Sequence, residues 1–436
     1  MSRVFKAFPL LQRLRVDGAF TRNVTSTLLI QVLSLFFGIA TSAIVARYLG
    51  QEGKGLVALA LLVPGMLGLF LGGGIETSNV YFAGSRRLDI STLAANSVAF
   101  AILATVSGIV IVGGLVVTGW LERLLPGVPT LLVLLAMLEF PLRLLLRYFS
   151  TILQGLQRII TVNLVNLSDF VLTLVFTLLF VVGLRMGSSG AVLASVGAVA
   201  VNLVIVSTLV RRMGGVFKPA WNRSVMRSTL SFGLRGYVGN LFQFFNYRLD
   251  MLLVNLFLDP AGVGIYTVSV RLAELLWNLP NAVGFVLFPK AAATRPERMN
   301  TFTPRVFRIT MILTVLGAIG LALLGKPLIL WIYSSAFSAA YVPMLALLPG
   351  VVLLGGAKVL TNEIAGRGYP HYNSITSGLS LVLTVVLDLL LIPRYGVLGA
   401  SLASSVSYSV IFVAAIGFYL VVSRRAGTAK QSGEPA

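Results

Sequence analysis

Gly187-Ser-Ser-Gly190-Ala-Val-Leu-Ala-Ser195 returns 209 residues further on as Gly396-Val-Leu-Gly399-Ala-Ser-Leu-Ala-Ser404, with six of nine positions identical. The same offset carries Gly53-Lys-Gly55, between the first two apolar segments, onto Gly262-Val-Gly264, between the seventh and eighth. In a chain with 43 glycines, one such match is within reach of chance. Two at one offset, each at the same place in the helix order, point to a duplication. Many transporters are built this way, with the working cavity at the seam between the copies.

The rest of the chain reads as membrane. Hydrophobic residues make up 57% and charged residues only 11%, with a mean hydropathy of +0.93. That leaves too little polar surface to coat a soluble protein of this size. Apolar runs of the ~20 residues needed to cross the hydrocarbon core recur throughout. They predict twelve spans, at about 24–46, 56–82, 94–118, 130–151, 160–183, 188–210, 229–257, 264–289, 306–325, 343–364, 372–393 and 397–421. The runs are continuous rather than alternating, which excludes a β-barrel. Residues 326–342 are expected to form an apolar, irregular connection. The fold class is therefore an all-α polytopic membrane protein of twelve transmembrane helices in two six-helix lobes. An even number of spans per lobe makes both enter the membrane in the same sense, so a pseudo-two-fold runs along the membrane normal. The expected divisions are a basic N-terminal segment (1–22), an N-terminal lobe (23–210), a linker (211–227), a C-terminal lobe (228–423) and a tail (424–436).

The net charge of +20 is a matter of topology. Of the 34 Lys and Arg, 22 fall on the side that holds both termini, six on the other side and six within spans. Such a bias predicts cytoplasmic termini, with the basic side facing anionic lipid rather than nucleic acid. Residues 1–22 lack a continuous apolar core and a small-residue cleavage site, so no signal peptide is expected. Phe5, Phe8, Leu11 and Leu14 suit a short helix lying on the inner surface, and 426–436 read as disordered. Gly72-Gly-Gly74, Gly113-Gly114 and Gly355-Gly356 allow close packing or bending. Pro64, Pro141, Pro280 and Pro349 are expected to kink helices.

Charges inside spans cost a few kcal/mol each, so they should be paired or face water. The seventh span crowds Asn240, Gln243, Asn246, Tyr247, Arg248 and Asp250, with Arg235 nearer the cytoplasm. Helical spacing puts Asn240, Gln243, Tyr247 and Asp250 on one stripe and turns Arg248 away. It reads either as a cavity-lining helix or as one glued into its own lobe. Arg271 and Glu274 are three apart and able to pair. Arg147 and Lys358 each stand eight residues before a glycine, Gly155 and Gly366, in equivalent spans of the two halves. Glu139 and Arg143 are spaced to pair. Asp169 has no partner nearby in sequence, so it either meets one on another helix or carries a coupling ion. Acids and cations are too evenly matched for sequence to sign the cavity.

No catalytic constellation is present. There is no cysteine and one histidine, His371, at a helix boundary. Neither a metal site nor a cofactor is expected, and Gly50-Gln-Glu-Gly-Lys-Gly55 lacks the spacing of a nucleotide-binding loop. Any transport must draw on an ion gradient, the membrane potential or downstream consumption.

Ala46-Arg-Tyr-Leu-Gly50-Gln-Glu-Gly53-Lys-Gly55 resembles the R-x-L-G-x-x-x-F-G opening of polysaccharide flippases, with Lys54 where an aromatic is usual. Val270-Arg271-Leu-Ala-Glu274 resembles the Arg-x-x-Glu/Gln helix of the same multidrug/oligosaccharidyl-lipid/polysaccharide exporter superfamily, which includes drug antiporters and lipid II flippases. With twelve spans, the chain is most similar to Wzx-type flippases of O-antigen repeat units. The resemblance implies alternating access for an undecaprenyl-pyrophosphate-linked oligosaccharide in the bacterial cytoplasmic membrane. Arg147, Arg235, Arg248, Arg271 and Lys358 would meet its pyrophosphate, and Asn240, Gln243 and Asn246 its sugars. Asp169, Asp250 and Glu274 would serve coupling to a proton or sodium ion, and polymerase machinery would take the product. Three rivals stand beside it: a cation antiporter of the same fold, a non-transporting subunit of a polysaccharide-synthesis complex, and a membrane glycosyltransferase or ligase, for which no long exterior loop exists.

Overall fold

The computed structural model describes residues 18–234, 237–294, 296–369 and 371–432. The surface helix expected around Phe5 to Leu14, and Arg235, lie outside them. The described chain is almost wholly helical. The first half holds α1 (Gly18–Leu71), α2 (Ile75–Gly84), α3 (Ile90–Val117), α4 (Trp120–Leu124), α5 (Thr130–Met137), α6 (Glu139–Gly155), α7 (Ile159–Thr177) and α8 (Gly187–Arg212). The second holds α9 (Arg223–Leu234), α10 (Tyr237–Phe257), α11 (Pro260–Ala273), α12 (Asn278–Ala293), α13 (Pro296–Ile332), α14 (Tyr341–Gly366), α15 (His371–Tyr395) and α16 (Val397–Ser432).

At 1.5 Å per residue the 54 residues of α1 would reach ~80 Å, far beyond one bilayer. The chain breaks it at Gly50, whose φ of 69° and ψ of −168° suit glycine alone. Two expected spans thus follow one another directly across this break. Among the described residues, nine helices are long and apolar enough to cross a membrane. Besides the span joined into α1, the expected fourth and seventh are not among them. The fourth is split into α5 and α6 and carries Glu139, Arg143 and Arg147; the seventh, α10, carries Arg248 and Asp250. The outer surface suits lipid: Val117 is 88% exposed and Trp331 75%. The chain is a multi-pass membrane protein.

One local expectation is corrected. Residues 326–332 continue α13 and 335–340 form a 3₁₀ turn, so this connection is ordered. Pro141 and Pro280 each follow an interruption of their span, at Leu138 and at the 3₁₀ turn Glu274–Trp277, in the turn whose hydrogen bond a proline cannot make. The backbone of α16 runs on to Ser432. The start of the seventh span lies in α9, before residues 235–236. That helix, α9, docks on the first half: Ser78 donates to the Thr229 carbonyl, Asn96 reaches Thr229 Oγ1 at 3.2 Å, and Gly74 meets Gly233 backbone to backbone.

The repeat-related glycines explain themselves by contact. A methyl on Gly55 would lie 1.6 Å from the Pro260 carbonyl oxygen, and one on Gly264 would lie 2.0 Å from that of Gln51. Gln51 and Pro260 are also 209 residues apart, so the contact is reciprocal. Gly155 packs on Val80 and Ala83, and Gly366 on Phe288 and Ala291, by the same logic.

At the basic side, Asp89 caps α3, accepting from Thr92 N at 3.1 Å and Thr92 Oγ1 at 2.6 Å. Those hydrogen bonds, the hydroxyl's first, hold its carboxyl below the usual range. A lowered folded value makes the stabilisation present above the ordinary aspartate range and lost as pH falls through the folded value. Asp89→Ala is expected to lose about 1 kcal/mol at neutral pH. Thermal unfolding at pH 7 and pH 3 checks this: the gap between variant and parent should close in acid.

Candidate functional site

Two cavities lie along the line where α1 meets the second half. The first, about 900 Å³ of empty space, is walled by α1 beyond its kink, α10 and α11, and includes Ser42, Lys54, Tyr247, Arg248, Arg271 and Glu274. The second, about 1330 Å³, lies between the start of α1, α6, α7 and α12, and includes Arg143, Arg147, Asn163, Asp169, Arg271 and Asn281. Arg271 is common to both. Gly38 on α1 makes room for it, since a methyl there would sit 2.7 Å from Arg271 Nη2.

Past the first cavity the seam is shut at the Gly50 end. Arg47 donates to the backbone carbonyls of Trp331 and Ile332, the latter at 2.9 Å, and Gln51 to that of Ala336. These are orphan carbonyls at the end of α13 and in the turn that follows, so groups of the first half satisfy the second. Gly55 against Pro260 and Gly264 against Gln51 complete the closure.

The expected residues divide. Arg248, Arg271 and Arg147 line the cavities. Lys358 sits between lining residues, donating to Asn281 Oδ1 at 3.1 Å with its ammonium 4.3 Å from the Trp277 ring centre. Gln243 is exposed, with its amide 3.4 Å from the Tyr247 hydroxyl. Asn240 lies on α10, but its side chain is not among those described. Asn246 is corrected: it is 2% exposed and turned away from the seam. Its amide donates to the Ser377 carbonyl at 2.8 Å, and its oxygen accepts from Ser380 and Thr384. Alternate turns of α10 therefore do different jobs, because one face must be glued to α15.

The ion pairs also differ from expectation. Glu274 lies 3.7 Å from Arg248 rather than pairing with Arg271. The backbone stays helical through Ala273 into Glu274, so the pairing is decided by the carboxylate's reach to Arg248 on α10 and not by a change of helix face. Among the described residues Arg271 has no ion-pair partner. Asp169 does have partners, Arg143 at 3.4 Å and Asn202 at 3.3 Å, and Arg143 also bonds Glu139. Arg147 faces Glu76 at 3.6 Å. The sign of the seam follows. Lys54, Arg143, Arg147, Arg248, Arg271 and Lys358 stand against Glu76, Glu139, Asp169 and Glu274, an excess of two positive charges. Most of the carboxylates serve the second cavity, so the surplus sits on Arg271, Lys54 and Lys358.

Behind α10 is a constellation the sequence did not assemble. Asp250 is 1% exposed and Asp388 0%, with their carboxyls within hydrogen-bonding reach. Tyr266 and Ser404 hydroxyls each donate to Asp250 Oδ2 at 2.6 Å. Two buried carboxylates side by side repel each other, and a proton or a cation between them would relieve that repulsion. Asp388 falls inside the eleventh expected span, but nothing in the 137 intervening residues marks it as Asp250's partner.

Comparison with known proteins agrees with this architecture. A family model described as polysaccharide biosynthesis protein matches residues 44–342. Agl15 of Haloferax volcanii, described as a "probable low-salt glycan biosynthesis flippase", is 23% identical over 210 residues, 44% of this chain and 41% of that one. The aligned part thus spans about two fifths of that relative. Among solved structures, the lipid II flippase MurJ in an inward closed conformation superposes with a TM-score of 0.73 at 15% identity, over 91% of this chain and 90% of that one. An inward-facing multidrug transporter of the MATE family gives 0.69 at 15% identity, over 94% and 100%.

Proposed function

Because the chain belongs to the polysaccharide biosynthesis protein family and shares the fold of the flippases and exporters above, we propose that it is a flippase for a lipid-linked oligosaccharide, not an enzyme. The lipid anchor is a polyprenyl pyrophosphate, undecaprenyl pyrophosphate in a bacterial cytoplasmic membrane. The protein works with both termini cytoplasmic and twelve spans in two lobes, 23–210 and 228–423. Its product passes to polymerising machinery outside.

The observation that carries this reading is the positive surplus at the seam, centred on an Arg271 with no ion-pair partner. A half-buried guanidinium without a counter-charge suits a ligand that brings one, and its planar fork matches phosphate oxygens. The head group enters the second cavity from the cytoplasmic side, meets Arg147 and Arg271, and leaves its prenyl tail in lipid. Glycan hydroxyls face Gln243 and Asn281. Rocking of the halves then opens the Gly50 end.

In vesicles, the reconstituted protein is expected to move a fluorescent polyprenyl-pyrophosphate oligosaccharide across the bilayer faster than protein-free lipid does. The antiporter reading has the likeness to a multidrug transporter in its favour. It takes over if the vesicles move a cationic dye and leave the glycolipid where it is. The Asp250–Asp388 pair is the proposed seat of coupling. Asp388→Asn should abolish the response to an imposed proton or sodium gradient, whichever drives the parent. Full gradient dependence in that variant removes the pair from the mechanism.

A further inference from the structure

Lys54 counts in the positive surplus of the seam, but the reading above gives this buried amine no role of its own. It stands at the start of the second half of α1, four residues beyond the Gly50 kink, and is 8% exposed. Its ammonium donates to Ser42 Oγ at 2.7 Å and lies 3.4 Å from the Ser42 carbonyl, with the Tyr333 ring 5.5 Å away. All these partners are neutral. The carboxylate lining the same cavity, Glu274, is engaged with Arg248. Buried charges are ordinarily paired, and among the described residues this one has no counter-charge.

The geometry around it is that of an anion site. Lys54 and Arg271 line one cavity from opposite halves of the chain, Lys54 from α1 and Arg271 from α11. Two of the three ammonium hydrogens are directed at Ser42, which fixes the group and leaves the third for a ligand. Arg47, Gln51 and the glycine contacts close the seam just beyond. Arg271 opens onto both cavities, whereas Lys54 belongs to the one next to the closure.

We infer that Lys54 and Arg271 form a second phosphate station at the outer end of the seam, to which the diphosphate moves from the inner cavity before release. The inference rests on the flippase reading and adds a position to it. A phosphate bridging the two cations replaces their mutual repulsion with attraction, and it ties the two halves together in the closed state. Opening of the Gly50 end separates α1 from α11, breaks the bridge and weakens the grip on the departing group. A compact ammonium suits such a station, because it makes one contact that a small displacement undoes.

The test uses the full-length protein in detergent, titrated by calorimetry with two probes, inorganic pyrophosphate and farnesyl pyrophosphate. Lys54→Met should weaken both about tenfold, Lys54→Arg should retain binding, and Arg271→Ala should weaken both at least as much as Lys54→Met. A free-anion site would bind the two probes alike; a lipid-headgroup site would bind the farnesyl probe more tightly, and loss in Lys54→Met supports the station in either case. If Lys54→Met binds within twofold of the parent while Arg271→Ala is impaired, the outer station is overturned and the flippase reading stands. If the parent binds neither probe, both fall together.

Discussion

Arg271→Ala is expected to slow flipping of a lipid-linked glycan by about 100-fold, the largest loss from any single cation of the seam. Hydrogen bonds to charged groups contribute ~1.5–3 kcal/mol each way, and a bidentate guanidinium–phosphate pair sits at the upper end. Other cations of the seam are partly spent: Arg248 on Glu274, Arg147 on Glu76, and Arg143 on Glu139 and Asp169. Removing them redistributes charge that is already balanced. Arg271 has no such partner among the described residues, and it touches both cavities. The substrate therefore loses a contact on entry and on exit. Arg271→Lys should recover only part of the rate, since a point charge replaces the fork but not its geometry. The measurement is the initial rate of outer-leaflet exposure of a fluorescent glycolipid in vesicles at matched protein density. A rate within threefold of the parent would remove Arg271 from the substrate path.

How much of this was legible beforehand depends on the kind of signal. Apolar runs and the split of cations gave the helices, because lipid imposes length and composition on every span. The glycine repeats gave the contact between halves, because backbone approach tolerates no side chain. Arg271 was found by its place in a resembling helix. What stayed hidden was pairing across sequence distance. Glu274 is three residues from Arg271 yet joins Arg248, which comes from another helix. Asp169 meets a cation 26 residues earlier, and Asp250 meets Asp388 from another helix. Asn246 and Tyr247 are neighbours in sequence on different faces of α10, one fixed to α15 and one in the cavity wall. Lys54 falls between two expected spans and was counted among the cations outside them, but the Gly55–Pro260 contact beside it brings two helices together. Periodicity says which residues share a face; it does not say what that face will meet.

The glycine contact makes the second large prediction. Gly55→Ala should drive the Gly50 end open, because the added methyl overlaps the Pro260 carbonyl at 1.6 Å and no rotamer change relieves a backbone clash. Inverting a strongly one-sided two-state equilibrium takes about 5.5 kcal/mol, which an overlap of this depth is expected to supply. The natural chain contains no cysteine, so a single Ala58→Cys substitution reports cleanly from the wall of the first cavity. In sealed, right-side-out vesicles, a membrane-impermeant maleimide should react slowly with the Ala58→Cys parent and at least tenfold faster once Gly55→Ala is added. Transport should fall, since a seam that does not close on one side does not alternate. The reciprocal variant makes the argument sharper. Gly264→Ala clashes with Gln51 just as Gly55→Ala clashes with Pro260, so two halves related by a two-fold should respond alike to either methyl. Unchanged labelling in both would mean that the contact yields without parting the halves. Opening by one methyl and not the other would break the symmetry on which alternating access is argued.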